Sequence, residues 1–98
     1  MKFGFENRIL DRLVVVMSKS NAVRSAVIFG SRARGDNKYN SDIDIAIYTD
    51  GELYSGFGQD LDEAAGIFKT NIIIMERLAN DNLRRNIERD GVEIYRRE

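Results

Sequence analysis

The stretch Ser25-Ala26-Val27-Ile28-Phe29-Gly30-Ser31-Arg32-Ala33-Arg34-Gly35, followed after a polar loop by Ser41-Asp42-Ile43-Asp44-Ile45-Ala46-Ile47-Tyr48, decides how this chain is read. Ser25 to Phe29 is a short β-branched and aromatic run halted by glycine, the pattern of a buried strand. Gly30 to Asn40 carries two glycines, three basic residues and two asparagines, which predicts a turn leading into a short helix or loop. From Asp42 to Tyr48 the pattern alternates. Ile43, Ile45 and Ile47 fall on one face of a strand and Asp42 and Asp44 on the other.

Two features of this stretch carry chemistry. A glycine directly after a buried strand lets the chain turn sharply and lets a phosphate approach the backbone. If Ser31 opens a helix, its N–H groups and hydroxyl offer an anion site, to which Arg32 and Arg34 add charge. Asp42 and Asp44, at i and i+2, project from one face about 6.5–7 Å apart at Cα. Left alone such carboxylates repel, and a divalent cation between them removes the conflict. Two metal ions on a rigid strand can serve an in-line displacement at phosphorus. Each feature alone has an ordinary explanation, as a common turn or as a solvated strand face. Their succession along one strand-turn-strand unit is what points to a site.

Working outward, Phe5, Ile9, Leu10, Leu13, Val14 and Met17 predict an amphipathic helix over 5–18, ended by the polar run Ser18 to Asn21. Gly51 to Gly58 reads as a mobile connection, and Leu61, Ala64, Ala65 and Phe68 predict a helix from about Asp60 to Phe68. Asn71 to Met75 reads as a third strand. Asn80 caps a helix carrying Leu83 and Ile87, with Arg89 near its end and Gly91 as its stop. Val92, Ile94 and Tyr95 supply a last short strand. The result is an α/β fold over a single domain, 1–98, with a small mixed sheet of about four strands flanked by helices.

Composition narrows the chemistry. The chain has 98 residues with no cysteine and no histidine, which excludes disulfides, thiolate catalysis and a Ser-His triad. Any metal is held by oxygen, favouring Mg²⁺ or Mn²⁺. A net charge of −1 disfavours nucleic acid as a partner bound through bulk charge. No apolar run approaches the ~20 residues that span a bilayer, and no segment resembles a signal peptide, so the expected location is the cytoplasm.

Gly30-Ser31-Arg32-Ala33-Arg34-Gly35 and Ser41-Asp42-Ile43-Asp44-Ile45-Ala46 together resemble the Gly-Ser, ten residues, Asp-x-Asp signature of the DNA polymerase β-like nucleotidyltransferase superfamily. The chain looks most like the minimal nucleotidyltransferases, antitoxins paired with HEPN-domain toxins. The order of elements and the closing Gly91-Val92-Glu93-Ile94-Tyr95 extend the resemblance over most of the sequence.

The resemblance implies that Gly30 and Ser31 hold the β- and γ-phosphates of ATP and that Asp42 and Asp44 bind the Mg²⁺ ions. It implies transfer of AMP to a tyrosine hydroxyl of the toxin. Arg32 and Arg34 either screen the triphosphate or brace the loop against a carboxylate. The family's third carboxylate, at the start of the following strand, corresponds here to Asn71, whose amide can ligate a metal but cannot act as a base. Glu76, Asp62, Glu63 or an acid of the partner are the substitutes. Tyr54 and Phe57 either touch the partner or base, or belong to the core, which is the preferred reading. The alternative function is an antitoxin with a degenerate site that neutralises by binding alone. Transfer to RNA or a small molecule is a weaker third reading, and a homo-oligomer stays open.

Overall fold

The computed structural model describes residues 2–98. Helix α1 (Asn7–Ser18) begins two residues later than the apolar spacing predicts, because Phe5 enters the core from the segment ahead of it. Ile9, Leu13, Val16 and Met17 form its buried stripe. Strand β1 (Val23–Phe29) leads through Gly30 into a single helical turn, α2 (Ser31–Arg34). Strand β2 (Ile43–Thr49) follows, then α3 (Phe57–Ala65), β3 (Thr70–Ile74), a 3₁₀ turn (Met75–Arg77), α4 (Asp81–Asp90) and β4 (Val92–Arg96).

The four strands lie in the order β3-β2-β1-β4. β1 runs antiparallel to both β2 and β4, and β2 runs parallel to β3, which makes the mixed sheet expected from the sequence. Alternation along β2 splits its side chains between two apolar clusters. Ile43, Ile45 and Ile47 join Leu13 and Met17 of α1 and Leu61 and Ala65 of α3. Ala46, on the acids' side of the strand, packs instead with Phe29, Met75 and Ile87 of α4. Both faces of the sheet are therefore covered along part of their length. Asp42 and Asp44 precede Ala46 and stand outside this second cluster.

The strands shift by one or two residues from expectation, β1 starting at Val23, β2 at Ile43 and β3 at Thr70. The boundaries of α3 and the end of β3 differ for tertiary reasons. α3 starts at Phe57, since Phe57 is itself a core residue and its N–H bonds Tyr54 O at 3.1 Å. What reads as a loose connection thus contains the first turn of a helix. That helix ends at Ala65, so Phe68 packs from the turn beyond it. The third strand stops at Ile74, and Met75 tucks into the second cluster as the chain tightens to 3₁₀.

α4 matches its signals more closely. The Asn80 side chain accepts a hydrogen bond from Leu83 N–H at 3.0 Å, a cap worth about 1 kcal/mol. Gly91 ends the helix, but with extended backbone (φ −63°, ψ 137°) rather than a left-handed turn. Glycine is required there because a Cβ would press on Ile87 O and on Val27 across the sheet. Among the described residues no helix is long and apolar enough to cross a membrane.

Candidate nucleotide and metal site

The site is assembled at one end of the sheet from β1, β2 and β3. Register does most of the work: Phe29 pairs with Asp44, so Gly30 follows beside the acid, and Asp44 pairs with Asn71 on the other flank. Gly30 takes φ 73°, ψ −150°, a region essentially confined to glycine, and turns the chain from β1 into α2. Its carbonyl accepts the N–H groups of Ala33 (3.1 Å) and Arg34 (3.0 Å). With one turn only, α2 has almost no macrodipole. Whatever this loop offers a phosphate comes from individual N–H groups and the Ser31 hydroxyl.

Asp42 and Asp44 are half-buried, and among the described residues neither joins a salt bridge. Their partner is Asn71. Its Nδ2 donates to Asp42 Oδ2 at 3.1 Å and to Asp44 Oδ1 at 2.9 Å. The amide therefore bridges the two acids. No three His, Cys, Asp or Glu side chains converge among the described residues. Two carboxylates and one amide form an all-oxygen donor set once the amide turns its Oδ1 inward. That set fits a hard divalent cation whose remaining ligands are waters and phosphate oxygens.

The two arginines of the loop part company. Arg32 is 1% exposed and points inward. Its guanidinium donates to Phe3 O (2.9 Å), Tyr39 O (3.1 Å) and Ser41 O (2.7 Å), and stacks 4.8 Å from the Phe68 ring. Burial pushes its pKa down, while Asp42 and Asp44 pull it back up. Of the two roles the sequence leaves open, Arg32 thus takes that of bracing the loop and not that of screening a triphosphate, and it does so through backbone carbonyls rather than a carboxylate. Its charge lies behind the two acids and offsets part of their repulsion. Arg34 stays at the surface, 3.2 Å from Asp36 and 3.9 Å from Asp90.

None of the substitute acids reaches the pair. Glu76 lies at the far end of β2, accepting from Thr49 N–H (2.8 Å), Thr49 Oγ1 (3.0 Å) and Arg24 (2.9 Å). Asp62 accepts from the Thr70 hydroxyl, and Glu63 meets Gln59 on the surface of α3. Phe57 is core, and Tyr54 packs edge-on against it at 5.6 Å. The Tyr54 hydroxyl donates to Asp60 at 2.7 Å; burial and that carboxylate push its pKa up to about 12.

Sequence reasoning passed over two residues beside the acids. Tyr39 and Ile67, 87% and 93% exposed, stand in a groove of about 350 Å³ that reaches Asp42. The available signal was an aromatic and an aliphatic residue in otherwise polar or glycine-bearing turns.

Residues 11–98 match the family described as polymerase beta, nucleotidyltransferase. The chain belongs to that family. No curated protein shows significant sequence similarity to it. Among solved structures, this nucleotidyltransferase domain is similar to a toxin-antitoxin with AMP-PNP, at TM-score 0.74 and 19% identity, over 91% of this chain and 74% of that one. It is also similar to the toxin-antitoxin MntA-HepT, at TM-score 0.70 and 16% identity, over 94% and 74% of the two chains. At these identities the likeness establishes the polymerase β-like fold and nothing narrower.

Proposed function

We propose that this domain is a cytoplasmic protein adenylyltransferase. It moves AMP from ATP to a hydroxyl of a partner protein, and it acts as the antitoxin of a HEPN-type toxin. The observation that carries this reading is the juxtaposition of Gly30-Ser31, Asp42, Asp44 and Asn71 across three neighbouring strands. The structural neighbours, a toxin-antitoxin with AMP-PNP and MntA-HepT, supply the kind of nucleotide and the kind of partner.

In this reading Gly30 brings the backbone against the phosphates and Ser31 adds its hydroxyl and N–H. Arg34 leaves Asp36 and Asp90 to pair with the triphosphate. Asp42 and Asp44 hold Mg²⁺, which when bound stabilises the charge on the attacking and leaving oxygens. The acceptor oxygen forms a bond to the α-phosphorus as the bond from that phosphorus to the α,β-bridging oxygen breaks. Pyrophosphate leaves and the hydroxyl proton passes to solvent. Positioning by rigid strands supplies much of the rate, so the reaction does not depend on a histidine.

The test is titration of ATP with and without Mg²⁺, on the wild type and on Asp42→Asn/Asp44→Asn, followed by transfer of α-labelled ATP to a HEPN-domain protein. Metal-dependent binding and labelling, both lost in the double variant, are expected. Labelling that survives in the double variant rules the reading out.

One observation favours a second reading, an antitoxin that neutralises by binding alone. The Asn71 amide donates one hydrogen bond to each of the two acids. Neutralisation of the toxin in the absence of nucleotide and metal, undiminished by Asp44→Ala, would select it.

A further inference from the structure

We propose that Asn71 is a clasp that competes with the divalent cation, rather than a ligand that helps to bind it. The inference rests on the reading of Asp42 and Asp44 as the cation ligands. Both neighbours of the Asn71 amide are carboxylate oxygens, which only accept, so the NH₂ end of the amide must face them. A single NH₂ group donates its two protons to two different acids, one oxygen of each. The second oxygen of Asp44 lies against Gly30, where even a Cβ would overlap it.

Register fixes this arrangement. Asn71 is the direct partner of Asp44 on the parallel strand, so its side chain starts beside the pair. Asn71 stands exposed on the edge strand, and its side chain has no hydrogen bond to any group other than the two acids among the described residues. A cation that takes these two oxygens competes with both bonds, and its charge repels the NH₂ end of the amide. That cost falls on a cation arriving alone. It is offset when a triphosphate arrives with the cation and contributes its own oxygens.

The clasp and the ligand roles predict opposite signs for one substitution. Removing a ligand weakens binding, whereas removing a competitor strengthens it. The experiment measures Mn²⁺ affinity without nucleotide, by the electron paramagnetic resonance signal of the free ion, on the wild type, Asn71→Ala and Asn71→Asp. Loss of two charge-assisted hydrogen bonds predicts that Asn71→Ala binds Mn²⁺ about tenfold tighter than the wild type. Asn71→Asp is expected to bind tighter still. In ¹⁵N spectra of the wild type, the Asn71 side-chain resonance shifts when Mg²⁺ and AMP-PNP are added together. Circular dichroism confirms that each variant is folded, and the exposed position makes both substitutions tolerable.

Weaker or unchanged Mn²⁺ binding by Asn71→Ala overturns the clasp while leaving the cation site in place. No Mn²⁺ binding by any of the three proteins, Asn71→Asp included, overturns both the clasp and the cation site itself.

Discussion

Gly30 and Asp44 are packed so closely that a Cβ at residue 30 would overlap Asp44 Oδ2 and force that carboxylate to shift. The turn that would meet a phosphate and the acid that would meet a cation thus share one contact. Gly30→Ala is predicted to act twice. The backbone at φ 73° costs a Cβ-bearing residue about 1–3 kcal/mol, which urea unfolding would read. It also displaces Asp44, so metal-dependent ATP binding should fall further than the stability loss accounts for. Normal ATP affinity in a destabilised Gly30→Ala protein would separate the two effects and count against a shared site.

Arg32 is predicted to matter for folding rather than for the nucleotide. Arg32→Ala leaves the carbonyls of Phe3, Tyr39 and Ser41 without their donor and opens a cavity under Phe68. The expected cost is roughly 3–5 kcal/mol. Arg32→Lys keeps the charge but not the fork, and is expected to lose about 2 kcal/mol. Denaturant midpoints check both values. A loss of ATP affinity at unchanged stability would return Arg32 to the phosphates.

Arg34 should show the reverse pattern. Its pairs with Asp36 and Asp90 are at the surface, so Arg34→Ala changes stability by no more than about 1 kcal/mol. If it turns to the triphosphate, ATP affinity falls about tenfold, the loss of one charge-assisted contact. Calorimetry on the same preparation reads both, and an unaltered affinity would remove Arg34 from the site.

Acid stability follows from carboxylates remote from the site. Burial pushes the Glu76 carboxyl up, but Thr49 and Arg24 outweigh it and hold it below its ordinary 4.5. Hydrogen bonds from Arg97 hold Asp50 below its ordinary 3.8. A lowered native pKa means that the unfolded chain takes up protons first. The stabilisation is therefore complete above about pH 4.5 and drains away as the pH falls through the depressed native values. Urea midpoints from neutral pH down to about pH 3 should fall in wild type and decline less steeply in Glu76→Gln, which starts lower. Parallel curves would show that Glu76 contributes nothing through its charge.

Much of this architecture is legible in short-range patterns. The β2 alternation reports which residues are buried, because a strand places neighbours on opposite faces whatever it packs against. Asn80 announces its helix because a cap bonds a residue three positions away. The late part of the Gly51–Gly58 segment misleads for the opposite reason. Its helix is held by Phe57 in the core, a tertiary contact that outweighs the glycines around it.

The same division runs through the site. Gly30-Ser31 and Asp42-x-Asp44 are near neighbours in the chain, and each by itself, one turn and one strand face, is dictated locally. Folding decides what surrounds them. Asn71 lies 27 residues beyond Asp44, and the parallel register alone brings its amide onto both acids. Arg32 and Arg34 are chemically the same residue two positions apart, yet one is buried against Phe68 and the other meets solvent. Residue type sets what a side chain can donate or accept. Which partner it finds depends on strand pairing and packing between segments far apart in sequence, and no local pattern encodes that.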